Sequence, residues 1–168
     1  MLEPAILYSE TLYQKSFSLM KEPERYFYYS GSRKFKPIDI PDENGSEEQT
    51  EYYWAIVDKG KRVVGYIAYT IDWYCSSAYN FDLVSFSEDR DKDNNFAVIA
   101  AAIKEVLKMI KENNIHRIEF WAVGGNPIIK HYNSFCKKNN GRILILKDRL
   151  RDGQGKFHDD YYYEIFLK

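Results

Sequence analysis

With 168 residues and a formal charge of −1, the chain is long enough to bury about two-thirds of its unfolded surface as a single domain over residues 1–168, and too evenly charged for the concentrated basic face that nucleic acid demands. Its two cysteines, Cys75 and Cys136, lack paired spacing, which excludes a disulfide framework or a zinc site and suits buried thiols in a reducing compartment. No signal peptide is evident and no apolar run nears the roughly 20 residues of a spanning helix, so a cytoplasmic chain with no membrane partner is expected.

The apolar piece Ala5–Tyr8 comes first, after which Ser9 is placed to cap a helix whose Leu12, Ser16, Leu19 and Met20 share a side. Pro23 opens another turn, and the aromatic run at 25–29 is too short for periodicity to decide between helix and strand. Residues 30–50 carry Gly31, Pro37, Pro41 and Gly45 in a polar, acidic background, the mark of a long loop. Loops of that length are lids, binding loops or disordered segments. Residues 52–58, a tight turn at Lys59, Gly60 and Lys61, and residues 62–71 read as a β-hairpin. Residues 73–78 turn the chain into a third strand, where Phe81, Leu83, Val84 and Phe86 suit the buried middle of a sheet.

The all-charged stretch 88–93 breaks that pattern. Beyond it Phe96, Ile99, Ala100, Ile103, Val106, Leu107 and Ile110 recur at offsets of three and four, so one side of a helix faces a core. Asn94 or Asn95 can cap it, because an Asn side chain satisfies amide donors that the first turn leaves orphaned. Residues 115–123 return as a strand, and a strand-helix-strand unit of this length is a parallel pair with a right-handed crossover. The helix start then lies beside a strand's carboxyl end, where anionic ligands bind. Asn126 and Pro127 signal a second helix start, with Asn as cap and Pro at the first helical position, and Ile128, Ile129, Tyr132, Phe135 and Cys136 form its apolar side. Asn139, Asn140 and Gly141 end it; 142–147 is a strand, 152–155 a turn and 161–167 the last strand.

No metal is expected. Asp89, Asp91 and Asp93 alternate as in a calcium loop, but that pattern needs Gly at its sixth position and Glu at its twelfth, where Asn94 and Ala100 stand. His116, His131 and His158 have no metal-ligand spacing and read as surface or structural residues. The 15 tyrosines fit a large, partly polar core, although Trp54, Trp73 and the cluster Tyr26 to Tyr29 could also line an acceptor pocket.

Three pieces, taken in order, resemble one family. They are residues 62–68 (Arg-Val-Val-Gly-Tyr-Ile-Ala), residues 116–127 (His-Arg-Ile-Glu-Phe-Trp-Ala-Val-Gly-Gly-Asn-Pro), and Gly141-Arg-Ile followed by Asp152-Gly153, Asp159-Asp160 and Tyr163-Glu-Ile165. Over residues 51–168 this order is similar to the GNAT superfamily of acetyl-CoA-dependent N-acetyltransferases, the last spacing being like that of the ribosomal-protein N-terminal acetyltransferase branch. The resemblance implies an α/β (α+β) fold: a mixed, mostly antiparallel sheet of six to seven strands flanked by helices, with one parallel pair that splays apart to admit the pantetheine arm of acetyl-CoA. It also implies a pyrophosphate held by backbone amides at the helix start, normally in a glycine-rich signature. Here the matching stretch, 89–96, has no glycine, although glycine is what permits close backbone approach.

Carried onto this chain, the cofactor-binding positions are Phe86 and Ser87 at the strand end, Asn94, Asn95 and Phe96 at the helix start, Asn126, and Lys130, which could equally belong to a solvated face. Transfer of acetyl from acetyl-CoA to an amine acceptor needs a neutral amine, a polarised carbonyl and a proton for the departing thiolate. Tyr132, six residues after Asn126, is the candidate acid, and it also falls on the helix's packing side. Asp82 and Glu119 are the candidate bases, since burial would raise their pKa toward a useful range; either could instead be paired or solvent-facing. The resemblance also allows a homodimer. The alternative is a GNAT-like binding module that has lost catalysis and recognises a protein or small ligand, suggested by the glycine-free acidic loop.

Overall fold

Strand-forming residues dominate the middle of the chain, and the computed structural model, which describes residues 1–29, 44–45, 48–86 and 95–167, joins them into one mixed sheet. The chain begins with β1 (Leu2–Pro4), a 3₁₀ turn (Ala5–Tyr8), α1 (Ser9–Met20) and α2 (Pro23–Phe27). The hairpin is β3 (Gln49–Val57) and β4 (Val63–Asp72), preceded by the short β2 (Asn44–Gly45). Then come β5 (Ser77–Ser85), α3 (Phe96–Glu112), β6 (Arg117–Val123), α4 (Ile129–Lys138), β7 (Arg142–Arg151) and β8 (Phe157–Phe166). The strand order is β1-β3-β4-β5-β6-β8-β7, with β2 also on β3. All recorded pairings are antiparallel except β5 with β6, as the crossover through α3 requires.

β4 is buried at nine of its ten residues, because helices cover both of its faces. On one face α3 contributes Ala102, Val106 and Ile110, spaced four apart, against Ile56, Ile67, Ile71, Ala78 and Ile118. On the other, Ala5 and Leu12 pack on Ala55, Val57, Tyr66, Ala68 and Phe86. A fully buried side chain such as Leu12 or Ile110 stabilises the fold by about 1.5–3 kcal/mol. The tyrosines do enter the core: Tyr66, Tyr69 and Tyr163 are among its largest fully buried side chains. Tyr163 donates its hydroxyl to Asn133 Oδ1 at 2.8 Å, so that the buried oxygen is not stranded.

Several local expectations change. Ser9 is the first residue of α1, the cap position falls on Tyr8, and no side chain bonds the first turn. The run at 25–29 is helical through Phe27, with Pro23 at the helix start. β1, three residues ending in Pro4, has no periodicity to reveal it and exists because it pairs with Ile56, Ala55 and Trp54. β7 and β8 each reach ten residues because their mutual pairing continues past an irregularity to Arg151 and Phe157. Cys136 is buried, which pushes its thiol pKa up, but Cys75 is exposed in the turn after β4, its amide held by Asp72 at 2.7 Å. Most of the long loop at 30–50 and the whole charged stretch 88–93 lie outside the described residues. Among those described, no helix is long and apolar enough to cross a membrane.

Candidate active site

The site begins with a break in the sheet. β5 and β6 pair only at Ser77 with Arg117 and at Ala78 with Ile118. Immediately beyond, the β4–β5 register shifts: Ala68 faces Asp82 and Thr70 faces Tyr79, so Asn80 and Phe81 together oppose the single residue Tyr69. Asn80 has φ +53°, a left-handed conformation that Asn tolerates better than most side chains. A bulge of this kind bends its strand and increases the local twist. β5 therefore leaves β6, and β6 pairs instead with β8 at seven successive positions from Arg117 to Val123.

Asp82, the residue next after the bulge, is 7% exposed. It lines a small cleft with Tyr66 and Val84 of the sheet, Ser16, Leu19 and Met20 of α1, and Tyr26 and Tyr29 of the α2 region. Tyr132 comes from α4, its ring edge-on to Phe120 at 4.8 Å and to Tyr163 at 5.6 Å. Burial pushes the Tyr132 hydroxyl well above the ordinary phenol range, and electrostatic coupling to Tyr29 and to Asp82 adds to that. Asp82 of β5 and Tyr29, just after α2, thus line one cleft, and Tyr132 of α4 is coupled to both electrostatically and retained as a neutral phenol.

The α2 region bridges the two sides of the break. Arg25 Nη2 donates to the carbonyl of Ser85 at the end of β5 at 3.3 Å, and the Asn126 side-chain amide donates to the carbonyl of Tyr28 at 3.5 Å. Between β6 and α4, Gly124 donates its amide to the Asp159 carbonyl at 2.7 Å, and a Cβ there would stand 2.9 Å from that oxygen. Gly125 has φ +93° and would set a Cβ 3.3 Å from the Tyr28 hydroxyl. Asn126 and Pro127 do not begin the helix: α4 starts at Ile129, and its cap position is Ile128 without a side-chain bond. Asn126 Oδ1 instead accepts the Ile128 amide at 3.0 Å, a local turn that competes with helix capping.

The remaining candidates scatter. Glu119 sits on the β8 side of β6, ion-paired with Arg117 at 3.1 Å and accepting a hydrogen bond from the Tyr162 hydroxyl. Phe86 is buried in the core on the α1 face, its amide bonded to Val64 O at 3.0 Å. Asn95 occupies the cap position of α3, but its side chain makes no capping bond; its carbonyl accepts the Ile99 amide. Phe96, 60% exposed, opens α3 and meets the ring of His131 on α4 at 5.2 Å. Lys130 is exposed on the first turn of α4. Ser87 and Asn94 lie outside the described residues. Trp54 is partly buried against the α3-side core, and Trp73 donates its indole N–H to Thr50 at 2.9 Å; neither lines the cleft. Sequence reasoning missed Arg25 and Tyr66, whose signals are a cation in an aromatic run and an ordinary strand residue.

No protein-family model matches the chain, and no curated protein matches it by sequence. Solved structures do. The fold is similar to an N-acetyltransferase from Staphylococcus aureus Mu50 (TM-score 0.55, 15% identity, 70% of this chain and 68% of that one). It is also similar to the ribosomal-protein-alanine N-acetyltransferase from Brucella melitensis (TM-score 0.52, 16% identity, 70% and 69%). A third is the spermidine/spermine N-acetyltransferase from Vibrio cholerae (TM-score 0.50, 18% identity, 72% and 66%); the chain spans about two-thirds of the length of each. At these identities the likeness is one of architecture, and together with the broken parallel pair it gives the chain the fold of the GNAT acetyltransferases.

Proposed function

We propose that the protein is an acyl-CoA-dependent N-acyltransferase that moves acetyl from acetyl-CoA to a primary amine by direct attack in a ternary complex. The observation that carries this reading is the parting of β5 from β6 next to the buried carboxylate Asp82, which is coupled electrostatically to the buried phenol of Tyr132 on α4. Past Ala78 the β5 edge facing β6 has no ladder partner in that strand, so an extended, amide-bearing arm fits there as an added strand would. Asn126 is fixed on one side of the opening, and Lys130 stands on the first turn of the following helix. The amino end of α3 at Phe96, without a side-chain cap from Asn95, offers a positive dipole to phosphate.

Acetyl-CoA, when bound, supplies an activated thioester carbonyl. Asp82 takes the proton that an attacking amine sheds as its nitrogen bonds to that carbon. Tyr132 hands its phenolic proton to the sulfur as the carbon–sulfur bond breaks, and solvent returns the proton from Asp82 to Tyr132, so the balance closes. Arg117 and Tyr162 hold Glu119 on the β8 side, which favours Asp82 as base. The acceptor, a peptide terminus or a small molecule, enters from the α1–α2 cleft, where Met20, Tyr26 and Tyr29 give it apolar walls.

The glycine-free acidic stretch 88–93 favours a second reading, a GNAT-like module that binds a protein or small ligand without turnover. Thermal melting with acetyl-CoA, with adenosine 3′,5′-bisphosphate and with buffer separates the two. Ligand at about one hundred times its Kd stabilises the native state by about 2.7 kcal/mol, roughly 5–10 °C for a chain of this size. An unchanged midpoint under saturating acetyl-CoA rejects the acyltransferase reading.

A further inference from the structure

The outer edge of β7 takes no part in the chemistry above and is built against the usual rule for edges. β7 ends the strand order, so among the described residues nothing pairs with its far side. Edge strands are normally kept short, charged or broken, because their unpaired peptide groups recruit other strands. Here three aliphatic residues stand in a row, Ile143, Leu144 and Ile145, at 42%, 56% and 41% exposure. The pairing of β8 dictates which peptide groups look outward. Asp159 accepts the Gly124 amide, and Leu167, just past the strand, donates to the His116 carbonyl. Odd-numbered residues of β8 therefore bond β6, and even-numbered ones turn to β7. These are Glu164, Tyr162 and Asp160, opposite Arg142, Leu144 and Leu146. The N–H and C=O groups of Ile143 and Ile145 are left pointing away from the sheet.

The stretch is bounded on both sides. Asn140 precedes it at φ +51°, and beyond Leu146 the ladder with β8 shifts register while Asp148 adopts φ +51°. At the centre of what remains, Ile-Leu-Ile reads the same in both directions about Leu144, the symmetry that a contact between identical copies needs. Antiparallel pairing about a two-fold axis at Leu144 sets Ile143 opposite Ile145 of the second copy and joins their outward peptide groups. Leu144 then meets its own counterpart at the close, non-hydrogen-bonded spacing of about 4.5 Å between Cα atoms. Ile143 and Ile145 lie across from Tyr163 and Tyr161, and Leu144 across from Tyr162, so isoleucine meets isoleucine on one face and leucine meets leucine on the other. A register centred on Ile145 would instead set Lys147 against Ile143 and run into Asp148.

Charge favours a second copy over an acidic or basic strand from elsewhere. The cations of this edge, Arg142, Lys147 and Arg149, are already paired with Glu164, Asp159 and Asp160, which leaves the strip between them neutral and apolar. The two Arg142 side chains would stand four residue steps apart, about 13 Å along the strands, beyond the roughly 8 Å over which exposed charges act at physiological salt.

We infer that this edge is a self-association surface: two copies join β7 to β7 antiparallel about Leu144, so that one sheet runs through both. Five residues a side fall short of the about 20–30 of a standard interface, so the dimer is expected to be reversible, with a Kd of roughly 10–100 µM. This holds whether or not the chain is an acyltransferase.

Sedimentation equilibrium of the full chain from about 1 to 500 µM is expected to show monomer giving way to dimer. A monomer throughout, which is also what an edge reserved for a foreign strand would give, overturns the inference. Leu144→Lys sets like charges opposite each other at the axis and is expected to raise the Kd at least about tenfold while the dilute monomer melts as before. Ile143→Pro removes an outward N–H and spares the bonds to β8; it is expected to do the same. Leu7→Lys, at another exposed aliphatic residue, should leave association unchanged. Association that survives Leu144→Lys, or is lost with Leu7→Lys, places the contact elsewhere and overturns the inference. Oxidative cross-linking tests the register in a Cys75→Ser background, which lacks the exposed native thiol. Leu144→Cys is expected to form a disulfide with its counterpart, whereas Ile143→Cys, about 7–8 Å from its own on the diagonal, lies too far to be bridged. Cross-linking through Ile143→Cys in preference to Leu144→Cys rules out pairing about Leu144.

Discussion

Replacing Tyr132 with Phe removes one oxygen and leaves the ring in place. The edge-on contacts with Phe120 at 4.8 Å and Tyr163 at 5.6 Å belong to the ring, so they survive. The lost hydroxyl should then change stability by less than about 1 kcal/mol, or roughly 2–4 °C in melting temperature. Loss of a positioned proton donor costs far more, about 10²–10⁴ in rate, or roughly 3–5 kcal/mol in the barrier. The assay follows thiol release from acetyl-CoA across a panel of amines, with calorimetric CoA affinity and a melting curve on the same preparation. Turnover is expected to fall at least about a hundredfold while CoA affinity stays within about twofold. Turnover within about threefold of wild type refutes the acid role. The pH profile gives an independent check. Burial, then electrostatic coupling to Tyr29 and Asp82, push the Tyr132 hydroxyl well above the ordinary phenol range, so it keeps its proton between pH 7 and 10. A fall in rate within that window that disappears in Tyr132→Phe would contradict this.

Asp82→Asn is expected to lower turnover by about 10²–10⁴ with CoA binding retained, while Glu119→Gln stays within about tenfold of wild type; the reverse order of effects in a kinetic comparison would move the base to Glu119. Asn80 is exposed at φ +53°, so Asn80→Val should cost about 1–2 kcal/mol in denaturant unfolding through backbone strain and weaken CoA binding, whereas Asn80→Gly should do neither. Equal effects of the two would show that the bulge does not set the opening. Gly125→Ala places a methyl at φ +93° beside Tyr28 and should destabilise by about 1 kcal/mol or more, read in the same unfolding experiment. The carboxyls of Asp152, Asp159 and Asp58 are held below their usual range, chiefly by His158, by Lys147 and by the Arg62 amide respectively. Lowered carboxyls stabilise above their unfolded pKa and lose that contribution as pH falls through the folded one, so melting temperature should drop below about pH 4. Asp160, pushed up by burial, works the other way and offsets part of the fall; a flat profile down to pH 2 would refute the assignment.

Much of the fold was legible because it is written in periodicities. The offsets of three and four from Phe96 to Ile110 give α3, the apolar run at 62–71 gives the central strand, and the order of elements gives the crossover. What was not legible depends on partners distant in the chain. β1 exists only through residues fifty or more positions away. The bulge arises from the register of β4 against β5, and Asn80 between Tyr79 and Phe81 does not announce it. Asn126 and Pro127 look like a helix start, but the Asn side chain is drawn into a turn and toward Tyr28 instead. Asp82 and Tyr132 were singled out on resemblance; their electrostatic coupling, shared with Tyr29, is a property of the folded chain. His158 had no spacing to mark it, since Gly124 and Asp152 reach it from different elements.

The left-handed residue at Asn80 lies in the middle strand of the molecule, flanked by its most deeply packed neighbour, β4. The parting of β5 from β6 is therefore part of the folded architecture, and a ligand arm of the kind proposed would not have to prise these two strands apart. A host whose opening is built before its guest arrives binds without the reorganisation that a closed sheet would impose.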